Sequence, residues 1–134
     1  RIAYALAGLR ALRGRLPRIE VELDNGRRDA GELILLGNGR LYGGRWKMFP
    51  QADMTDGRID ILVVPRVSLF RMAGIGWALQ TGRFARYGAV RHHQASSFTL
   101  RSDVSCEFEL EGDNVGFMPA TVTVRPRALR VVVP

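Results

Sequence analysis

Apolar and polar residues alternate in the first part of the chain in a way that predicts β-strands. Every second residue from Ile19 to Leu23 is apolar and the residues between are charged, which is the period of a half-exposed strand. Residues 24–26 are Asp-Asn-Gly, a strong hairpin signal, so this strand is predicted to turn back toward the apolar run at 33–36. Another apolar run, 59–64, is closed by Pro65 and predicts a further strand.

Two segments have helical spacing instead. Residues 2–13, IAYALAGLRALR, bring apolar side chains near one helical face, and Pro17 ends this predicted helix. Residues 67–81, VSLFRMAGIGWALQT, are apolar nearly all round, and Gly82 is a suitable C-terminal cap. A helix this apolar must be covered by its own domain, by a partner or by lipid. We favour its own domain or an interdomain contact over a membrane.

From residue 89 onward the strand alternation is nearly continuous. Runs at 89–102, 104–113, 120–126 and 128–134 carry it, and glycine and proline residues separate them. The chain is therefore predicted to be mainly β, an antiparallel sandwich or barrel, with an N-terminal helix and one inserted helix.

Length and composition narrow this picture. The 134 residues make one domain with a single real core, and 46% hydrophobic and 25% charged residues indicate a globular chain. No apolar run reaches the ~20 residues that span a bilayer. The chain opens on Arg1 without a methionine or signal peptide, so we expect a fragment of something longer. Cys106 is the single cysteine, which fits a reducing compartment and a buried structural thiol.

The net charge of +7 comes almost wholly from arginine, since Lys47 is the single lysine. Arginine suits phosphate and carboxylate oxygens, so the charge indicates nucleic acid, nucleotide phosphate or an anionic membrane surface. An ordinary solvated surface in an arginine-biased sequence explains it equally well. The arginines are spread along the chain, which argues against a nucleic-acid-binding arm.

Residues 37–57, GNGRLYGGRWKMFPQADMTDG, are too long for a simple hairpin turn and carry two candidate metal ligands. Asp53 and Asp56 lie in a loop whose glycine and proline let backbone carbonyls turn toward one point. Mg²⁺ requires one or two carboxylates plus other oxygens, which the spacing D-x-x-D-G permits. The same spacing also describes an ordinary Asx turn.

Residues 110–116, LEGDNVG, place Glu111 and Asp113 on either side of a glycine at a strand end. They are either exposed acids at a hairpin tip or a carboxylate held as a general base. His92 and His93 are adjacent in a predicted strand, so their side chains point to opposite faces and a zinc site is not expected. No P-loop, dinucleotide fingerprint or serine nucleophile elbow is present.

Three of these segments together resemble the diacylglycerol kinase catalytic family, which includes soluble bacterial lipid kinases and the sphingosine and ceramide kinases. GNGRLYGGRWKMFPQADMTDGRIDILVV is similar to the family's "GNG…GGG…P.A...DG.LD" segment, and AYALAGLRAL to the helix that precedes it. LEGDNVGFMPATVTVRPRALRVVVP is similar to the closing "DGE…P.AL…P" segment. The likeness covers nearly the whole chain, in the family's order.

The resemblance implies that residues 1–134 are the C-terminal, lipid-binding β-sandwich domain of a two-domain lipid kinase. In the family a separate N-terminal α/β domain holds ATP with a GGDGT motif, which is absent from this chain. We therefore expect the isolated domain to be inactive. The implied partners are a lipid substrate, ATP as co-substrate, the N-terminal nucleotide-binding domain and an anionic membrane surface. Nucleic acid is not among them, a homodimer is left open, and the expected location is the cytoplasm with peripheral membrane association.

The resemblance also assigns site residues. Asp56 supplies a carboxylate to Mg²⁺, and the backbone carbonyls of Asp53 and Arg58 supply further oxygens. Asp113 stands where the family's DGE motif has the glutamate that deprotonates the lipid hydroxyl, and Glu111 stands at the motif's aspartate. Aspartate is one methylene shorter, and a shift of about 1 Å can cost roughly 10²-fold in rate. Either the backbone compensates or the kinase is weak or altered.

Two other functions remain open on the sequence. The first is a non-catalytic β-sandwich, descended from such a kinase, that binds lipid or an anionic membrane. The second is a small β-barrel that binds nucleic acid, which predicts exposed aromatic residues interleaved with arginine.

Overall fold

The computed structural model describes residues 16–42, 44–84, 87–110 and 113–128. Its elements are strands β1 (Ile19–Leu23), β2 (Arg28–Gly31), β3 (Leu33–Gly37) and β4 (Ile59–Val64), helix α1 (Leu69–Gln80), and strands β5 (Arg91–Ala95), β6 (Ser97–Ser102), β7 (Glu107–Leu110), β8 (Asp113–Phe117) and β9 (Ala120–Thr123). The predicted helix at 2–13, most of the predicted strand at 128–134 and Glu111 lie outside the described residues.

The described strands pair antiparallel in two main sheets and one hairpin. One sheet has the order β2-β1-β6-β9, the other has the order β3-β4-β5, and β7 pairs with β8. The two main sheets pack face to face around one buried cluster: Ile19, Val21, Leu23, Ile61, Val63, Ala95, Phe98 and Leu100. The predicted mainly β, antiparallel sandwich with an inserted helix is confirmed.

The return of the first strand differs from the prediction. After the turn at 24–27 the chain comes back as β2, with Glu22 opposite Arg28, whereas β3 pairs with β4 in the other sheet. The chain crosses between sheets at Gly31 and Glu32, where a Cβ on Gly31 would lie 2.5 Å from the carbonyl oxygen of Val64. A hairpin signal specifies that a strand turns, but the sheet that the next apolar run joins depends on long-range packing.

Strand β4 is buried on both faces, which explains its unbroken apolar run. Ile61 and Val63 face the sandwich interior, while Leu62 and Val64 belong to a second core on the outer face of the β3-β4-β5 sheet. The other buried members of this second core are Met48, Phe49, Ala52, Ile75, Ala78 and Phe84.

Helix α1 lies over this second core. It starts at Ser68, whose hydroxyl accepts a hydrogen bond from the Arg71 N–H, and Gly82 follows it with φ of 68°, as the sequence predicts. Ile75 and Ala78 are buried, but Phe70 is 93% exposed. Coverage by its own domain is therefore correct for one side of the helix. None of the helices in the described residues is long and apolar enough to cross a membrane.

The sequence predicts a buried thiol at Cys106. In the structure Cys106 is only partly buried, and it packs against the cluster between the two main sheets. Burial raises the pKa of its thiol, and the nearby Glu107 and Asp103 carboxylates raise it further. A thiol with a raised pKa is a poor nucleophile, which agrees with a structural role.

Candidate functional site

Phe49 anchors the middle of residues 37–57, which we call the glycine-rich window. Phe49 is 1% exposed and packs against Gly37, at which any Cβ would collide with its ring. Before this anchor, Tyr42 and Trp46 exchange two backbone hydrogen bonds and close a small excursion of the chain. After it, Arg40 Nε donates to the Ala52 carbonyl at 3.2 Å. These contacts give the window a defined conformation, and its last residues, 53–58, lead into β4.

Residues 53–58 form two successive turns closed by aspartate side chains. Asp53 Oδ1 accepts hydrogen bonds from the Thr55 N–H at 2.8 Å and from the Thr55 hydroxyl at 2.6 Å. Asp56 Oδ1 accepts one from the Arg58 N–H at 2.8 Å. The Asp56 N–H in turn donates to the Asp53 carbonyl at 3.3 Å. Both aspartates thus act as Asx-turn residues, as the sequence allowed.

The charge state of this loop follows from the same contacts. The Thr55 hydroxyl, and then the Thr55 N–H, lower the pKa of Asp53 below its usual value, and the positive charge of Arg40 adds to the effect. Asp53 and Asp56 are both exposed, so solvent reaches their carboxylates.

Gly57 links this loop to the end of the chain. Its φ of 72° lies in the left-handed region, and a Cβ built on it would lie 3.3 Å from Cγ of Pro126. Glycine is therefore required both by the backbone conformation and by the close approach of Pro126. The fold thereby brings together the loop of the glycine-rich window and the proline of the closing segment.

The oxygens of this loop are compatible with a hard cation. Oδ2 of Asp56 makes no hydrogen bond to any of the described residues, and the carbonyl of Asp53 turns toward Asp56. The described residues contain no cluster of three or more His, Cys, Asp or Glu side chains suited to a metal. The Asp56 carboxylate and the Asp53 carbonyl are nevertheless the kinds of oxygen that bind Mg²⁺, which usually takes one or two carboxylates and keeps several waters.

Asp113 stands at the tip of the β7–β8 hairpin. It is the first residue of β8, it pairs with Leu110, and its side chain is exposed. The register of the hairpin shifts between Phe108 and Glu109. Within the described ranges, Asp113 has no hydrogen bond or ion pair to the loop at 53–58. The predicted base and the predicted metal ligands thus lie on separate elements.

A buried polar cluster that the sequence analysis missed lies beside the second core, on the same face of the β3-β4-β5 sheet as Leu62. Asp60 is 1% exposed, His92 Nε2 lies 2.7 Å from its Oδ1, and Gln94 Nε2 lies 3.2 and 3.3 Å from its two carboxylate oxygens. A cavity of about 50 Å³ adjoins this cluster. It is lined by Met48, Pro50, Gln51, Leu62, Phe84, Tyr87, Val90 and His92. The one available signal was an aspartate inside an otherwise apolar strand.

A second polar cluster lies on the other side of β5. His93 Nε2 is 2.7 Å from Asp29 Oδ2, and Arg91 Nε donates to the same carboxylate oxygen at 2.8 Å. Burial raises the pKa of Asp29, but hydrogen bonds from Arg91, His93 and the Ala30 N–H outweigh it and lower that pKa to about 2. His92 and His93 therefore point to opposite faces, as predicted, and each binds an aspartate.

These features define a two-sheet antiparallel β-sandwich domain. The chain belongs to the YegS C-terminal NAD kinase beta sandwich-like domain family, whose model matches residues 1–133. It is also similar to "Diacylglycerol kinase" of Staphylococcus haemolyticus (strain JCSC1435), with 25% identity over 102 residues, which are 76% of this chain and 31% of the relative. The resemblance to the diacylglycerol kinase family, C-terminal domain, is confirmed.

Solved structures show the same fold. A diacylglycerol kinase from Bacillus anthracis str. Sterne superposes with a TM-score of 0.67 at 21% identity, over 94% of this chain and 44% of that chain. Two further chains from the same organism have TM-scores of 0.69 and 0.71 at 20% and 21% identity, over 93% of this chain and 44% and 42% of theirs. The present chain thus spans about a third of its curated relative and less than half of these structures.

Proposed function

We propose that this chain is the C-terminal, lipid-binding domain of an ATP-dependent lipid kinase that transfers the γ-phosphate to the hydroxyl of a diacylglycerol-like lipid. The observation that carries the proposal is its family membership over residues 1–133, joined by a relative named as a diacylglycerol kinase. The chain spans about a third of that relative, and in this proposal an N-terminal domain of the parent protein binds most of the ATP. The isolated chain should therefore not turn over.

In this proposal Asp113 is the general base. Its exposed carboxylate at the hairpin tip is open to a bound substrate, which is the first requirement for a base. The lipid oxygen forms a bond to the γ-phosphorus as the bond to the β-phosphate oxygen breaks, and ADP leaves. The hydroxyl proton passes to the Asp113 carboxylate and then to water. Phosphoryl transfer depends mainly on positioning and charge neutralisation, so the carboxylate is assigned only the acceptance of this proton.

In the same proposal the loop at 53–58 holds Mg²⁺. Asp56 supplies carboxylate oxygen, and Asp53 and Arg58 supply backbone carbonyl oxygen. When bound, the ion supplies a fixed positive charge that orders the loop. The support for this assignment is the double turn, in which each aspartate side chain accepts a backbone N–H two residues on.

The second core is the proposed shelter for the acyl chains, because lipid tails need an apolar pocket. Its cavity of about 50 Å³ is far smaller than a site of several hundred Å³ for a sizeable ligand. Side chains that line it, such as Phe84 and Tyr87, must therefore move for a chain to enter. Arginines of the domain are available to face lipid head groups or phosphate.

The test uses the full-length parent protein. Transfer of labelled phosphate from ATP to diacylglycerol, sphingoid and phosphatidylglycerol lipids is measured for wild type, Asp113→Ala and Asp56→Ala. Glu107→Gln, an exposed acid in the same hairpin, is the matched control. We expect wild type and the control to label a lipid and both aspartate variants to lose the activity. An Asp113→Ala variant with full activity would refute the assigned base.

The second candidate is a non-catalytic sandwich that binds lipid or an anionic membrane. The observation in its favour is the apolar side of α1 left exposed, which includes Phe70 at 93% and Trp77 at 70% exposure. The shorter acid at position 113 is also consistent with lost catalysis. A parent protein that labels no lipid in the presence of Mg²⁺, yet binds lipid vesicles, would select this candidate.

A further inference from the structure

Helix α1 carries apolar residues on its exposed side as well as on its buried side. Seven of its residues are exposed, and Gln80 is the only polar one among them: Leu69, Phe70, Met72, Ala73, Gly76, Trp77 and Gln80. At 100° per residue these seven positions form one continuous side, opposite Ile75 and Ala78. We call these seven residues the exposed face of α1. An apolar helix side left in water marks an interaction site.

The charge around this face is of one sign. Residues 65–91 contain five arginines and no aspartate or glutamate. Arg66 lies just before the helix and Arg83 just after it, and both are exposed. Neither has an ion pair within the described parts of the chain. The exposed face is thus an apolar strip with a positive charge at each end.

This combination selects the occupant. A second copy of the chain, docked through the same face, would bring its own arginines against these and be repelled. An anionic bilayer attracts arginine at its head groups and accepts phenylalanine, leucine and tryptophan at the boundary with its acyl region. The 12 residues of α1 extend about 18 Å, which is too short to span the ~30 Å hydrocarbon core. A helix of this kind lies in the plane of the interface.

We propose that the exposed face of α1 inserts into the surface of an anionic membrane, with Phe70 and Trp77 as anchors and Arg66 and Arg83 at the head groups. The inference rests on the proposed function and deepens it, because it assigns the surface by which the enzyme meets its lipid. Since the buried side of α1 covers the proposed acyl-chain site, the same helix would place that site next to the bilayer.

The experiment measures partition of the full-length parent protein onto vesicles of phosphatidylcholine alone and with a quarter phosphatidylglycerol. Wild type should bind the phosphatidylglycerol vesicles more tightly. The Phe70→Ser/Trp77→Ser double variant should lose at least about tenfold in partition coefficient, since each anchor is worth about that much when buried. Val104→Ser, which removes a valine that is 58% exposed in the loop between β6 and β7, is the matched control and should bind as wild type does.

A second readout locates the helix directly. Lipids brominated on their acyl chains should quench the tryptophan fluorescence of the bound parent protein, and the quenching should be smaller in Trp77→Phe than in wild type or in Trp46→Phe. Wild-type binding by the double variant, or absence of quenching, would overturn the proposal. So would a Phe70→Cys thiol that maleimide cannot reach in the lipid-free parent, because another domain would then cover the face. A concentration-dependent dimer that the double variant abolishes would overturn it as well.

The two proposals fail separately. Activity is also measured on monomeric dioctanoylglycerol, for which the double variant should match wild type while it loses activity on vesicles. If wild type labels no lipid but Trp77 is quenched by brominated vesicles, the kinase proposal fails and the membrane surface stands. If dioctanoylglycerol is phosphorylated but the double variant binds vesicles normally, the membrane surface fails alone.

Discussion

Nε2 of His92 lies 2.7 Å from Oδ1 of Asp60, a carboxyl group that is 1% exposed beside the second core. Gln94 donates to the same carboxylate and faces Asp60 directly in the pairing of β4 with β5. A buried polar group persists when it is hydrogen-bonded, and here two neighbours on one strand supply the bonds. The cluster therefore ties β4 and β5 together in a single register.

Removing this carboxylate should destabilise the fold. Asp60→Ala leaves the His92 and Gln94 side chains without their buried partner, so the free energy of unfolding should fall by about 1–3 kcal/mol. Asp60→Asn keeps the shape and one acceptor, and should cost less. Urea denaturation followed by tryptophan fluorescence measures both. Glu107→Ala, an exposed acid, should stay within about 0.5 kcal/mol of wild type. An unfolding midpoint for Asp60→Ala equal to that of Glu107→Ala would contradict the role of the cluster.

Asp29 should make the free energy of unfolding depend on pH in the acidic range. Its folded-state pKa of about 2 lies below the ordinary value of 3.8, so its stabilising contribution is present above about pH 4 and is lost as the pH falls toward 2. The contribution amounts to about 2 kcal/mol at most. The difference in unfolding free energy between wild type and Asp29→Asn should therefore shrink between pH 4 and pH 2. A difference that stays constant over this range would show that Asp29 gains nothing from Arg91 and His93.

Replacing each of two glycines by alanine should change the stability of the protein in opposite directions. Gly57→Ala places a side chain at φ of 72° and against Pro126, which should destabilise the protein by about 1–2 kcal/mol. Gly76→Ala lies inside α1 with no neighbouring atom within 4 Å of the added carbon, so it should stabilise by up to about 1 kcal/mol. Thermal melts of the two variants beside wild type test this pair. Equal shifts in Tm would refute the constrained turn at Gly57.

The catalytic rate should depend on both the charge and the length of the side chain at position 113. Under the proposed function, Asp113→Asn in the full-length parent protein should lower kcat by about 10²- to 10⁴-fold, because it removes the proposed general base. Asp113→Glu restores the missing methylene and separates the two alternatives for the shorter acid: a higher kcat indicates a limited native enzyme, and a lower one indicates a compensating backbone. Labelled-phosphate transfer measures both variants, with Glu107→Gln beside them. Unchanged kcat in Asp113→Asn would remove this residue from the mechanism.

Much of the fold is readable from local pattern. The alternation at 19–23, the apolar run at 59–64 and the helical spacing at 67–81 each appear as an element with nearly the predicted bounds. The same holds for the turns of Asp53 and Asp56, because an Asx turn needs only residues two positions apart. These features depend on neighbours in the chain, which a sequence displays directly.

The tertiary structure alone decided the rest. It placed the run at 33–37 in the second sheet, it joined Asp60 to His92 across 32 residues and Asp29 to His93 across 64, and it left one side of α1 exposed. Each of these depends on which distant strand or core surface a segment meets. Periodicity states that a segment has an apolar side, but what covers that side is determined by the packing of the whole chain.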